Sequence, residues 1–165
     1  MSLFLLWEFL TTLNANQESS LKTLWKILNA AVITLAKSPI HKIISRNILV
    51  LEIIGAKTGQ KYKIPVSYLQ IDSGLLYCVT DRKNIWWKNL RSRQDINAFY
   101  KGNLVRIKAE VDERDLRLAI DHLSLLCGHS RVDGFFAGVG YTNGQPIEAD
   151  IRKVAPDMIP ITVRL

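Results

Sequence analysis

The sequence predicts an α+β fold: a mostly antiparallel sheet with flanking helices, in a single domain spanning residues 1–165. Three observations carry this expectation. From Ile48 onward, short apolar runs with strand-like patterning recur between clusters of Gly, Asn and Asp. Two other stretches, near Leu21 and Leu116, keep a helical period instead. The chain has 165 residues, 48% of them apolar, which is enough for one sizeable core and cramped for two.

The helical stretch places Leu21, Leu24, Trp25, Leu28, Ala31, Val32 and Leu35 on one face and stops near Lys37 at Ser38-Pro39. It reads as a helix over 21–37 covering one sheet face, with a membrane-surface helix as its alternative. Residues 1–20 form either a disordered or a peripheral N-terminal segment. The apolar Met1–Leu10 stretch lacks a basic flank and is too short to span a bilayer, so a cytoplasmic protein is expected, or one peripheral to the membrane through this helix.

Ile48–Ile54 reads as a mostly buried strand, closed by a turn at Gly55–Gly59. Tyr62–Ile71 reads as the next strand, Asp72-Ser73-Gly74 as a tight turn and Leu75–Thr80 as the return, together an antiparallel meander. Pro65 implies an edge, a bulge or a place where something other than a strand needs access. Asn84 is expected to cap a short helix through Leu90, Ile96–Tyr100 to form a strand, and Lys101-Gly102-Asn103 to turn the chain. Val105–Val111 alternates strictly, with Arg106, Lys108 and Glu110 toward solvent. Asp112 is expected to cap a helix carrying Leu116, Ala119, Ile120 and Leu123 and ending at Gly128. Residues 129–157 read as mostly loop, and Ile159–Leu165 as a closing strand.

Lys and Arg number 22 against 15 Asp and Glu, a net charge of +7 that favours an anionic partner. The segment from Lys37 to Arg93 alone holds eleven Lys and Arg against Glu52, Asp72 and Asp81. Cys78 and Cys127 are the only cysteines, with no CxxC, which signals neither a disulfide framework nor a zinc site. His122, Cys127 and His129 cluster in sequence without a fourth ligand, and no metal is expected. Cys78 reads as core, and Phe135 with Phe136 as a lid or packing patch.

Two stretches carry chemistry. In Gly55-Ala56-Lys57-Thr58-Gly59-Gln60-Lys61-Tyr62-Lys63-Ile64-Pro65, two glycines allow a tight backbone path, Lys57 and Lys61 bring positive charge, and the Thr58 hydroxyl with exposed N–H groups suits phosphate oxygens. The spacing lacks the Walker pattern, and a hairpin follows instead of a helix. In Thr80-Asp81-Arg82-Lys83-Asn84-Ile85-Trp86-Trp87-Lys88-Asn89-Leu90, Arg82 and Lys83 precede a helix N-terminus, where an anion is favoured. The adjacent Trp86 and Trp87 cannot face the same way on a helix, so one is expected to plug the core and the other to flank a planar ring.

Together the two stretches, G-x-K-T-G, Pro65 six residues beyond the second Gly, then T-D-R-x-x-x-W-W-x-N-L, resemble the deazaflavin-dependent nitroreductase family. Its members are split β-barrels of about six to seven strands, related to the flavin-mononucleotide-binding pyridoxamine-phosphate-oxidase group. The resemblance covers roughly Pro39 to Val111. It implies that Lys57, Thr58 and Gly59 hold the coenzyme phosphate, that Pro65 lies beside the ring, and that Thr80, Trp86, Trp87 and Asn89 bound the pocket. Ala56 and Tyr62 stand where members commonly carry Arg, and Lys61 and Lys63 are expected to compensate.

The implied coenzyme is 8-hydroxy-5-deazaflavin (F420), whose phosphodiester and oligoglutamate tail match the basic segment; flavin mononucleotide is the alternative. The implied activity is hydride transfer to a nitro, quinone or enone-type small molecule, with the protein orienting the reduced ring. Tyr141 is the candidate proton donor, because members use late tyrosines near the substrate. A homodimer is left open. The contrasting reading is a non-catalytic binding module for an anionic ligand such as haem, a fatty acid or a membrane surface. No nucleic-acid partner is expected, since few aromatics interleave with the basic residues.

Overall fold

The computed structural model describes residues 47–165, so the helix expected over 21–37 and the segment 1–20 lie outside the described residues. Among the described residues, a seven-stranded antiparallel sheet runs in the order β2-β1-β5-β6-β9-β4-β3. Its strands are β1 (Ile48–Ile54), β2 (Lys61–Ser67), β3 (Leu69–Gln70), β4 (Leu75–Asp81), β5 (Asp95–Tyr100), β6 (Asn103–Val111) and β9 (Met158–Arg164). A separate hairpin pairs β7 (Tyr141–Thr142) with β8 (Gln145–Pro146). Helices α1 (Leu116–His129), α2 (Arg131–Ala137) and α3 (Glu148–Val154) flank the sheet, and 3-10 turns occupy Trp86–Arg91 and Ala155–Asp157.

The strand expected over Tyr62–Ile71 is broken at Tyr68. β2 pairs with β1 while β3 pairs with β4, and these two short strands close opposite ends of the sheet order. A single residue joins them, so the sheet must curl until its edges meet, which makes it the expected split β-barrel, with the second strand of the Ile48–Thr80 meander divided between its two edges. Tyr68 is buried at this junction, its N–H donating to the Asn47 carbonyl at 3.0 Å. Pro65 lies on β2 opposite Val50, on the terminal strand of the sheet order.

The barrel interior takes every second residue. Leu49, Leu51 and Ile53 of β1 meet Ile96 and Ala98 of β5, Ile107 and Ala109 of β6, Leu76 and Cys78 of β4, and Ile159, Ile161 and Val163 of β9. Each fully buried aliphatic side chain contributes about 1.5–3 kcal/mol. Trp87 and Leu90 plug this core from the 3-10 turn. Burial pushes the Cys78 thiol up to about 12, so it is inert packing. A second core lies outside the barrel, where Ala119, Leu123 and Cys127 of α1 pack with Ile151, Ala155 and Met158.

Four local expectations are corrected. Asn84 does not cap the helix at Trp86; its amide instead donates to the Thr80 hydroxyl at 3.0 Å. Asp115, not Asp112, caps α1 by accepting from the Leu118 N–H, while Asp112 accepts from Arg114 and Asp115 in the preceding turn. The helix also runs through Gly128 to His129. The stretch 129–157 holds α2, α3 and a hairpin in place of the expected loop, with Ser130 capping α2 through the Asp133 N–H.

His122 of α1 is fully buried, stacked on Tyr77 at 3.9 Å, with Nδ1 donating to the Cys78 carbonyl. Its Nε2 has no hydrogen-bond partner among the described residues. Burial lowers its pKa below 6.5, so the unfolded chain takes up a proton that the folded chain refuses. The stability held above pH 6.5 is therefore lost as pH falls through that value toward the folded pKa. Unfolding free energies from denaturant titrations at pH 7 to pH 5 should drop by up to about 1.4 kcal/mol per pH unit from this group, and His122→Gln should flatten the slope.

Candidate functional site

The β1–β2 turn is built by its side chains as much as by its backbone. The Gly55 N–H donates to the Gln60 carbonyl and the Gly59 N–H to the Gly55 carbonyl, both at 2.8 Å, and Gly59 adopts a φ of 66°. A Cβ at Gly55 would stand 2.6 Å from Thr58 Oγ1 and 2.9 Å from the Tyr62 ring, so only glycine fits beneath them. Thr58 Oγ1 accepts from the Gln60 N–H and meets the Tyr62 hydroxyl, each at 3.3 Å. The Lys57 side chain is exposed and has no ion-pair partner among the described residues.

Asn89 ties this turn to the 3-10 helix. Its Oδ1 accepts from the Ala56 N–H at 2.8 Å, and its Nδ2 donates to the Trp86 carbonyl at 2.9 Å. Both halves of the motif, separated by 33 positions, are thereby brought together. Trp86 is partly buried against the barrel core, whereas Trp87 is 2% exposed, its Nε1 pointing at the Arg82 carbonyl at 3.4 Å. Trp87 thus plugs the core, as expected of one of the two indoles, while Trp86 keeps part of its surface outside it.

Other expected contacts are drawn elsewhere. Thr80 is buried beneath Asn84, and its side chain, like that of Trp87, serves packing. The Arg82 guanidinium donates to the carbonyls of Pro156 at 2.9 Å and Glu113 at 3.1 Å, clamping its loop to two neighbouring segments. Arg91 pairs with the Glu113 carboxylate and lies over the Trp87 ring. Lys83 is exposed, its N–H held by Asp81 at 2.7 Å. Lys61 and Lys63 both reach Glu52, at 3.7 and 3.6 Å.

Tyr141 stands apart. Its hydroxyl donates to the Cys127 carbonyl at 2.8 Å and lies 3.2 Å from that of Ser130, at the end of α1. Burial pushes its phenol pKa up. Burial raises the carboxyl pKa of Asp133 on neighbouring α2, an effect offset in part by Ser130 and by Ser67, which lies at the end of β2 remote from the Gly55–Gly59 turn. The intervening strand spans about 20 Å. The phenol proton is already engaged in holding the helix end, and this geometry lends no support to the proton-donor expectation at Tyr141.

No protein-family model matches the chain, and no curated protein does. Solved structures do. One, described as a domain-swapped dimer, is 14% identical with a TM-score of 0.50, covering 87% of this chain and 99% of its own. A conserved hypothetical protein from Mycobacterium tuberculosis is 14% identical at a TM-score of 0.49, covering 76% and 78%. An F420-H2 dependent reductase is 15% identical at 0.48, covering 73% and 95%. The likeness is one of fold.

The Asn89 tie and the Glu52 pairings were beyond reach of sequence reasoning. A carboxamide that bridges 33 positions leaves no periodic trace. Glu52 had one visible sign, a lone charge in the otherwise apolar run Ile48–Ile54.

Proposed function

We propose that this chain is an oxidoreductase that holds a phosphate-bearing flavin-type coenzyme, deazaflavin or flavin mononucleotide, between the Gly55–Gly59 turn and Trp86. The observation that carries the reading is the Asn89 bridge, which sets a phosphate-type turn and a partly exposed indole side by side. The donor set suits such a group. The N–H groups of Lys57 and Thr58 make no hydrogen bond to the described residues, and the Lys57 side chain is exposed on the same turn. Lys57 and Thr58 would hold the phosphate, with Trp86 bounding the ring and Pro65 on the adjoining strand. When bound, the coenzyme supplies the hydride for a nitro, quinone or enone-type acceptor. The protein's part is to fix the phosphate at a rigid turn, so that the ring is presented in one orientation.

Flavin mononucleotide is the second reading, favoured by the pairing of Lys61 and Lys63 with Glu52, which reduces the charge open to a long anionic tail. Titration with both coenzymes, followed by Trp fluorescence at low and high salt, separates the two. Lys57→Gln should weaken whichever coenzyme binds by about tenfold at low salt, with a smaller loss at high salt. Failure of both coenzymes to bind the unaltered chain would refute the proposal.

A further inference from the structure

Glu52 sits in β1 directly opposite Lys63, and Lys61 lies two residues away on the same strand face. Its side chain is 10% exposed, against 59% for Lys61 and 28% for Lys63, so the carboxylate is held beneath two ammonium groups that reach outward. Lys63 is steadied further by the Phe99 ring, 5.0 Å from its Nζ. One carboxylate thus answers two cations on the strand that leaves the Gly55–Gly59 turn. Lys57, on the turn itself, has no such partner among the described residues.

We infer that Glu52 is a specificity-determining residue: by pairing with Lys61 and Lys63 and halving their charge it lets the hairpin select a single compact phosphate over an extended polyanion. The inference deepens the coenzyme reading above and rests on it. A multiply charged chain lying along β2 would need Lys61 and Lys63 released, whereas a phosphate at Lys57 does not. The interaction of a ligand with Glu52 scales with the ligand's charge, so removing that carboxylate favours the more highly charged ligand.

The test uses the full chain with two probes, flavin mononucleotide and inorganic tripolyphosphate. Glu52→Gln should tighten tripolyphosphate by about tenfold at low salt and flavin mononucleotide by only about threefold, with a steeper salt dependence for the former. Adding Lys61→Gln should remove about half the gain on a logarithmic scale. Glu52→Thr, a good strand former, gives the same readout if the glutamine variant folds poorly. An unchanged tripolyphosphate affinity in either folded variant, or an equal gain for both probes, overturns the inference. If the unaltered chain binds neither flavin mononucleotide nor the deazaflavin, the coenzyme reading falls, and the tripolyphosphate gain still reports on Glu52.

Discussion

Gly134→Ala should lower the stability of the folded chain by about 2–4 kcal/mol, although alanine is the better helix former. In an exposed helix the change stabilises by about 1 kcal/mol, because glycine gives up more backbone freedom on folding. At Gly134, within α2, a Cβ would stand 2.0 Å from the Tyr141 hydroxyl and 2.7 Å from the ring carbon that bears it. That hydroxyl cannot retreat without releasing the Cys127 carbonyl at the end of α1. Overpacking and a lost hydrogen bond therefore act together. Urea midpoints would show the drop. In a Tyr141→Leu background the added cost of Gly134→Ala should shrink by more than half, since the ring it collides with is gone. An unaltered midpoint for Gly134→Ala would mean that Tyr141 does not fill the space above it.

Asn89→Asp should leave the chain folded yet reduce coenzyme affinity by about tenfold to a hundredfold. Aspartate keeps an oxygen for the Ala56 N–H but loses the amide that donates to the Trp86 carbonyl. It also places a negative charge one residue from Lys57, where the phosphate would sit. Asn89→Ala removes both bonds, with an expected cost of about 1 kcal/mol in stability and a smaller loss of affinity than the aspartate variant. Melting curves separate these outcomes from the fluorescence titration. Equal affinities for the aspartate variant and the unaltered chain would detach Asn89 from the site.

The strands were largely legible because one face of each is buried. Ile48–Ile54 has the bounds that its pattern implies, and Ile159, Ile161 and Val163 share the barrel interior on a strand that runs Met158–Arg164, one residue earlier than the pattern implies. The break at Tyr68 was not, since alternation reports which face of a strand is buried and is silent on which neighbour it joins. α2 and α3 escaped notice for another reason. Each has seven residues, α2 carries a central glycine, and such short helices depend on a cap such as Ser130 and on packing that periodicity does not display. At the site, the glycines, Lys57 and the paired indoles were visible as residue types in a composite motif. The commitments of Arg82 and Tyr141 were hidden, because each is made to a separate segment of the chain, and that of Glu52 because the cross-strand register of the hairpin is not set by the pattern alone.

β9 lies between β6 and β4 and is the last strand in chain order. Its ladder with β6 reaches Val111↔Ile161 and stops short of Pro160, whose missing N–H falls on that side, next to the carbonyl that accepts from Asp112. Until residues 158–164 dock, β2-β1-β5-β6 and β4-β3 are two half-sheets with greasy inner faces and unsatisfied rims. Closure of the sheet therefore rests on pairings remote in sequence, 158–164 with 75–81 and with 108–111, the kind of contact whose loop-closure entropy slows folding.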